Sequence, residues 1–289
     1  MRIDAHHHLW DLRAVHYPWI MAKGEPRFFG DPSPIQRDYL LDEFTNDAKI
    51  HDFTGSVHIQ VGAADPLEEA RWVQSIAEAN PSWPMVQVAF CDLTAPNADE
   101  HLDALQELSS IRGVRQIIGR APGEDAQTSS NEVLNNPLFA ERLHKLADRG
   151  LSFDLQLLPE LMEKTADILS EAPNTKVALC HAGSPYDRSR SGIRQWSQNL
   201  KFLSRLPNVC CKLSGLGMFE HDWTENSLLP IIETVLEQFT VERTMFGSNF
   251  PVDSITSDYE TLINMYSNHV EDAQHEAFFS NTAKAFYRI

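Results

Sequence analysis

The sequence predicts an α/β protein of one domain, a (β/α)8 barrel over residues 1–289. Short apolar or β-branched runs alternate with polar loops and longer stretches at helical spacing, the pattern of βαβ units on a parallel sheet. Eight such runs share 289 residues, which leaves about 36 residues per unit, as eight units with loop insertions require. No linker divides the chain, because proline is spread throughout and no low-complexity tract interrupts the alternation.

In order, the predicted strands are Arg2–His8, Gly55–Val61, Met85–Phe90, Gly113–Ile118, Leu151–Leu157, Lys176–His181, Val209–Ser214 and Arg243–Ser248. The helices between them carry legible ends. Asp65-Pro66-Leu67-Glu68 supplies an N-cap, a proline in the first turn and an acid at the third position, and Pro81 stops that helix. Asn136 and Pro137 open another, with Leu138, Phe139, Leu143 and Leu146 on one face and Gly150 where a left-handed residue is expected. The long irregular segment 9–34 after the first strand holds Trp10, Tyr17, Trp19, Phe28 and Phe29, too many aromatics for a solvated linker. Such a segment packs over a barrel end or covers a pocket, and in a barrel the two are compatible.

Lys and Arg number 24 against 41 Asp and Glu, a formal net charge of −17, which excludes a nucleic-acid binder held by phosphate contacts. The 42% hydrophobic content suits a large core. No stretch of about 18 apolar residues reads as a membrane span, and MRIDAHHHLW is not a secretion signal, so a cytoplasmic enzyme is expected. Cys91, Cys180, Cys210 and Cys211 read as reduced and mostly buried. The acidic balance repels anions at long range, so a carboxylate substrate needs local positive charge in the site. Oligomeric state is left open, with room for a homo-oligomer.

The sharpest chemical signal is Asp4-Ala5-His6-His7-His8-Leu9-Trp10. Alternation along a strand sets His6 and His8 on one side and His7 on the other. Two imidazoles about 6 to 7 Å apart along a strand can converge on one ion. The pair is either half of a metal site or a hydrogen-bonded strand end. His181, where VALC meets the glycine of CHAG, and Asn249, in MFGSNFP, sit at later strand ends and aim at the same rim.

Six ordered motifs give these residues a wider setting: IDAHHHLWD with YPWI, GVRQ, FDLQL, CHAGSP, CKLSGL and MFGSNFPV. Across nearly its whole length the chain resembles the amidohydrolase superfamily, in its amidohydrolase-2 group of pyrone-dicarboxylate and sugar lactonases. The resemblance implies a barrel that hydrolyses a lactone or related cyclic ester. It matches His6 and His8 to the first-strand pair, His181 to the sixth-strand histidine and Asn249 to the eighth-strand position. Aspartate is usual at that last position, as metal ligand or general base, and a carboxamide cannot accept the proton.

Three resolutions stay open. His6, His8 and His181 hold Zn or Mn, whose bound water needs less help from a base. Alternatively His181 or Asp154 is the base, or the site does something other than hydrolysis. Asp154 and Gln156 share one side of their strand, Gln60 lies near the rim of the second, and Arg115 offers a bidentate guanidinium for an acid arm. Lys212 would serve the same arm, and Trp10 would contact substrate. His58 reads as a core histidine, Asp253 as a turn residue, and Tyr186, Arg188 and Arg190 as a solvated loop. The expected activity is lactone opening by water on a small-molecule substrate, a lactone or carboxylic acid, with no nucleic-acid or membrane partner. The rivals are a metal-dependent decarboxylase and a relative that binds without turnover.

Overall fold

A computed structural model describes residues 2–124 and 130–289. Eight parallel strands run β1 (Arg2–His7), β2 (Phe53–Ile59), β3 (Met85–Phe90), β4 (Ile111–Ile117), β5 (Ser152–Gln156), β6 (Val177–Leu179), β7 (Val209–Leu213) and β8 (Thr244–Phe246), each hydrogen-bonded to the next in sequence. With helices between them this is the expected (β/α)8 barrel. The strand positions agree with the sequence reading, but β6 and β8 are only three residues long, because the chain leaves the ladder just before His181 and Asn249.

Closure between β1 and β8 rests on individual bonds. Asn249 N–H donates to the His6 carbonyl at 2.7 Å and His8 N–H to the Phe250 carbonyl at 2.7 Å. The buried Asp4 carboxylate accepts from the N–H groups of His6 and Ser248, both at 3.0 Å, and from the Tyr259 hydroxyl at 3.0 Å.

The helices are α1 (Pro18–Met21), α2 (Leu41–Ile50), α3 (Pro66–Ala79), α4 (Ala98–Gln106), α5 (Pro137–Lys145), α6 (Met162–Ser170), α7 (Arg190–Ser204), α8 (Glu225–Phe239), α9 (Tyr259–His269) and α10 (Thr282–Tyr287). Asp65 caps α3 by accepting from the N–H groups of Leu67 and Glu68 at 2.9 and 3.1 Å. Asn136 caps α5 from Leu138 N–H at 3.0 Å, and Gly150 has a φ of +67° after it. No helix among the described residues is long and apolar enough to cross a membrane.

Ile3, Ala5, Val57, Ile59, Val86, Val88, Ala178 and Met245 form one apolar cluster with Phe286 and Tyr287 of α10, which packs the N-terminal end of the barrel. Above it sits a buried polar layer. Lys212 Nζ lies 2.6 Å from Asp154 Oδ2 and donates to the Ala5 carbonyl at 2.8 Å, and the Tyr287 hydroxyl reaches both Asp154 oxygens at 2.9 Å. Asp154 and Lys212 are fully buried, and taking both charges out of water is tolerable because each answers the other.

Removing one partner should expose this balance. Lys212→Met is expected to cost about 3–5 kcal/mol in urea unfolding, with the Asp154→Leu, Lys212→Met double variant losing clearly less. Equal loss in the two would show that the pair is not the source of the cost.

Candidate active site

A cavity of about 350 Å³ opens at the C-terminal ends of the strands. Its lining brings together seven of the residues expected from the sequence: His8, Trp10, Gln60, Arg115, Gln156, His181 and Asn249. Segment 9–34 both packs and covers, for Trp10 and Tyr17 are fully buried while Trp19, Phe28 and Phe29 form cavity wall. Trp19 is pinned by donating its indole N–H to the Val61 carbonyl at 2.7 Å.

Two expected site residues stand elsewhere. Asp154 and Lys212 do not line the cavity, because they lie one pleat deeper than Gln156 and Ser214 and satisfy each other there. Alternation correctly set Asp154 on the side of Gln156 but carried no information on depth. Neither the base role for Asp154 nor the acid-arm role for Lys212 matches this placement.

His6 is also absent from the lining, yet its ring stands 5.1 Å from that of His8 and 4.6 Å from that of His181, centre to centre. His7 turns outward and stacks on Phe44 of α2 at 3.9 Å. Strict alternation would put His6 on the side of Asp4, but a register shift between Asp4 and His7 breaks the phase. Asp4 therefore reaches Tyr259 while His6 meets the other two imidazoles. Close approach makes room for this: a Cβ on Gly247 would sit 2.6 Å from that of His6.

His181 is aimed by unusual backbone. His181, Ala182, Gly183 and Ser184 have φ values of +54°, +51°, +68° and +53°, a left-handed turn that costs about 1–2 kcal/mol for each non-glycine residue. Strain of this kind persists where surrounding structure fixes it, commonly at functional sites. Ser214 Oγ lies 3.0 Å from His181 Nδ1, a hydrogen bond that holds the ring's orientation.

Burial drives all three imidazoles toward the neutral form. His8 is pushed down to about 3, first by desolvation and then by the Arg115 charge, and His6 and His181 fall well below the ordinary value, again by burial first. Neutral His8 faces the Ile59 carbonyl through Nδ1 at 2.8 Å; a carbonyl only accepts, so the proton is on Nδ1 and Nε2 keeps a lone pair. That lone pair meets Asn249 Oδ1 at 3.3 Å. Asn249 is held in this orientation because its Nδ2 donates to Asp253 Oδ1 at 2.7 Å. Asp253, expected to be a turn residue, is instead buried behind the site, its carboxyl pushed up to about 7 by burial.

Two acceptors facing each other hold either a water that donates to both or a cation. The donor set suits a divalent ion in its chemistry: both ring nitrogens of His6 are buried without partners, and His8 Nε2 and Asn249 Oδ1 present lone pairs. Among the described residues, however, no three His, Cys, Asp or Glu side chains are clustered as a metal site, so the expected His6, His8 and His181 set is assembled but not converged.

A parallel barrel with histidines and an amide at its C-terminal rim places them where barrel enzymes build their active sites. Residues 3–289 match the amidohydrolase family model, and the chain belongs to that family. It is 34% identical over 99% of its length to the uncharacterized protein y4mH of Sinorhizobium fredii, 98% of which is covered. It is 25% identical over its full length to an L-fucono-1,5-lactonase of Burkholderia multivorans, covering 96% of that protein. Among solved structures, an amidohydrolase of B. multivorans with bound Zn superposes with a TM-score of 0.84 at 22% identity, over 100% of this chain and 99% of that one.

Sequence reasoning set Asp253 aside as a turn residue and missed Arg27, Arg120 and Met218. The last three come from loops, where no periodicity marks a facing side. For Asp253 the signal was its spacing of four from Asn249, within reach across a single turn.

Asp253 binds a proton more tightly folded than unfolded between about pH 4 and about pH 7, so its ionisation lowers stability as pH rises through that window. Buried Asp4, raised to about 6, and Glu69, raised to about 7, act in the same direction. Asp253→Asn should therefore flatten the fall in unfolding free energy between pH 5 and pH 8, read by urea titration at each pH. An unchanged slope would show that Asp253 titrates normally.

Proposed function

We propose that this chain is a lactonase, opening a small-molecule lactone by attack of water. The observation that carries the reading is the facing pair of acceptors, His8 Nε2 and Asn249 Oδ1, on the floor of a cavity with aromatic walls. The lactonases among its curated relatives, including an L-rhamnono-gamma-lactonase of Scheffersomyces stipitis at 22% identity, support the reaction class.

Water donating one hydrogen to His8 Nε2 and the other to Asn249 Oδ1 is turned with its own lone pair outward, toward a carbonyl carbon in the cavity. Asn249 cannot take the proton, so it orients, and the Asp253 carboxylate holds its amide in place. His8 Nε2 takes the proton. Its low basicity is where a metal would help: His6, His8 and Asn249 Oδ1 are the residues that would hold a divalent ion, which would supply Lewis-acid activation. Trp10, Gln60 and Gln156 shape the cavity around the ring of the substrate.

Proton release from a panel of sugar lactones and other small cyclic esters, followed at constant pH with and without added Zn or Mn, tests the reading. Turnover is expected, and Asn249→Ala should lower kcat by about 10²–10³. CO2 release from aromatic acids without lactone turnover would favour a decarboxylase, and binding without either product a non-catalytic relative.

Metal content is separately measurable. Elemental analysis of protein purified without a tag or chelator should find a divalent metal that His6→Ala loses. Metal-free protein with full lactonase activity would leave the imidazoles and Asn249 to act alone.

A further inference from the structure

Lys212 and Arg115 both project into the barrel and are answered differently. Lys212 has the Asp154 carboxylate. Arg115, only 5% exposed, is met among the described residues by neutral oxygens: the Gln60 carbonyl at 3.4 Å and the side-chain oxygen of Gln156. Its Nε is buried with no partner. Among the described residues no carboxylate hydrogen-bonds this guanidinium; buried Glu69 acts on it only through space, and a guanidinium held out of water on neutral oxygens is stabilised by an anion that enters the cavity.

Position identifies the anion. His8 is anchored on the Ile59 carbonyl and Arg115 on the next one, that of Gln60. Successive carbonyls of a strand point to opposite sides, so His8 arrives from β1 and Arg115 from β4 at the same strand end; both line the same cavity, and the Arg115 charge acts on the His8 ring. A carboxylate carried on a remote arm of the substrate would be held away from the reacting bond. A cation next to His8 instead meets the carbonyl that water attacks.

We propose that Arg115 is a catalytic residue of the lactonase described above, a reading on which this inference rests. Its unpaired N–H groups receive the carbonyl oxygen as it becomes an oxyanion, then hold the carboxylate that ring opening creates. The water oxygen bonds to the carbonyl carbon, the π pair moves to the carbonyl oxygen, and one water proton goes to the base. When the intermediate collapses, the C=O bond reforms and the bond to the ring oxygen breaks. The ring oxygen takes that proton and leaves as a hydroxyl. The new acid ionises, so lactone and water give a hydroxy carboxylate and one proton. The substrate then needs no acid group of its own, and the open-chain hydroxy acid is an inhibitor.

The test uses neutral aldonolactones with the wild type, Arg115→Lys, Arg115→Gln and Arg115→Ala, each checked for folding by circular dichroism. Arg115→Gln should lower kcat by about 10²–10³ with KM changed less than about threefold. Free guanidinium should restore part of the rate of Arg115→Ala, and the inhibition constant of the hydroxy acid should rise in each variant. Should Arg115→Gln not fold, Arg115→Lys carries the same test, with a smaller loss expected because a single ammonium replaces the fork. A raised KM at unchanged kcat, or undiminished inhibition by the hydroxy acid, overturns the proposal. Should the wild type turn over no lactone, the lactonase reading fails by itself. Calorimetric titration with the hydroxy acids then decides the anion seat: binding lost in the variants supports it, and equal binding overturns it.

Discussion

The arrangement of this site depends on one buried carboxylate. Asp4 accepts from the N–H groups of His6 and Ser248 and from the Tyr259 hydroxyl, so it ties β1 to the chain leaving β8 and both to α9. The same bonds fix the phase break in β1 that turns His6 toward His181. A barrel whose first and last strands pair by ladder bonds alone would set His6 and Asn249 by sheet register. Here the backbone bonds from Asn249 to His6 and from His8 to Phe250 are joined by a side chain, which has a direction and a length. Burial pushes the Asp4 carboxyl up to about 6, and the donors around it partly compensate for that desolvation.

Along the barrel axis, charge is arranged in layers. Tyr287, Asp154 and Lys212 make a balanced layer above the apolar plug, the three neutral imidazoles lie above that, and Arg115 stands at the rim. The lower layer keeps a cation within electrostatic reach of His6 without letting it touch substrate. Neutrality of the rings is thus a property of the whole interior: desolvation removes their protons first, and two cations on either side oppose their return. In a chain carrying −17 overall, Lys212 and Arg115 place two buried cations beside these rings.

The fold was legible because strand and helix periods, caps and spacing all agreed. The site was legible only in part. His8, His181, Asn249, Arg115 and Gln156 reach the cavity because each lies toward a strand's C-terminal end, where alternation and topology together name a face, and His6 packs against the two histidine rings without lining it. Asp154 and Lys212 were misplaced because period two separates inside from outside and says nothing of how far along the axis a residue lies. Asp253 was read as a mere turn residue because it returns to Asn249 through a turn, where contact depends on backbone angles that composition does not encode. The left-handed run at His181 was invisible for the same reason: only one of its four residues is a glycine.

The hydroxyl that satisfies the Asp154 carboxylate belongs to Tyr287, 133 residues further along the chain. At roughly 5–20 residues per second, a ribosome reaches that tyrosine about 7 to 27 seconds after making Asp154. Until then the Asp154 carboxylate lacks that hydroxyl, and the strand ends that Phe286 and Tyr287 cover lack their apolar cap. The polar interior that places the histidines therefore cannot be completed strand by strand during synthesis. It assembles late, when α10 docks, and an intermediate lacking α10 would present its apolar strand ends to whatever chaperone or neighbour is at hand.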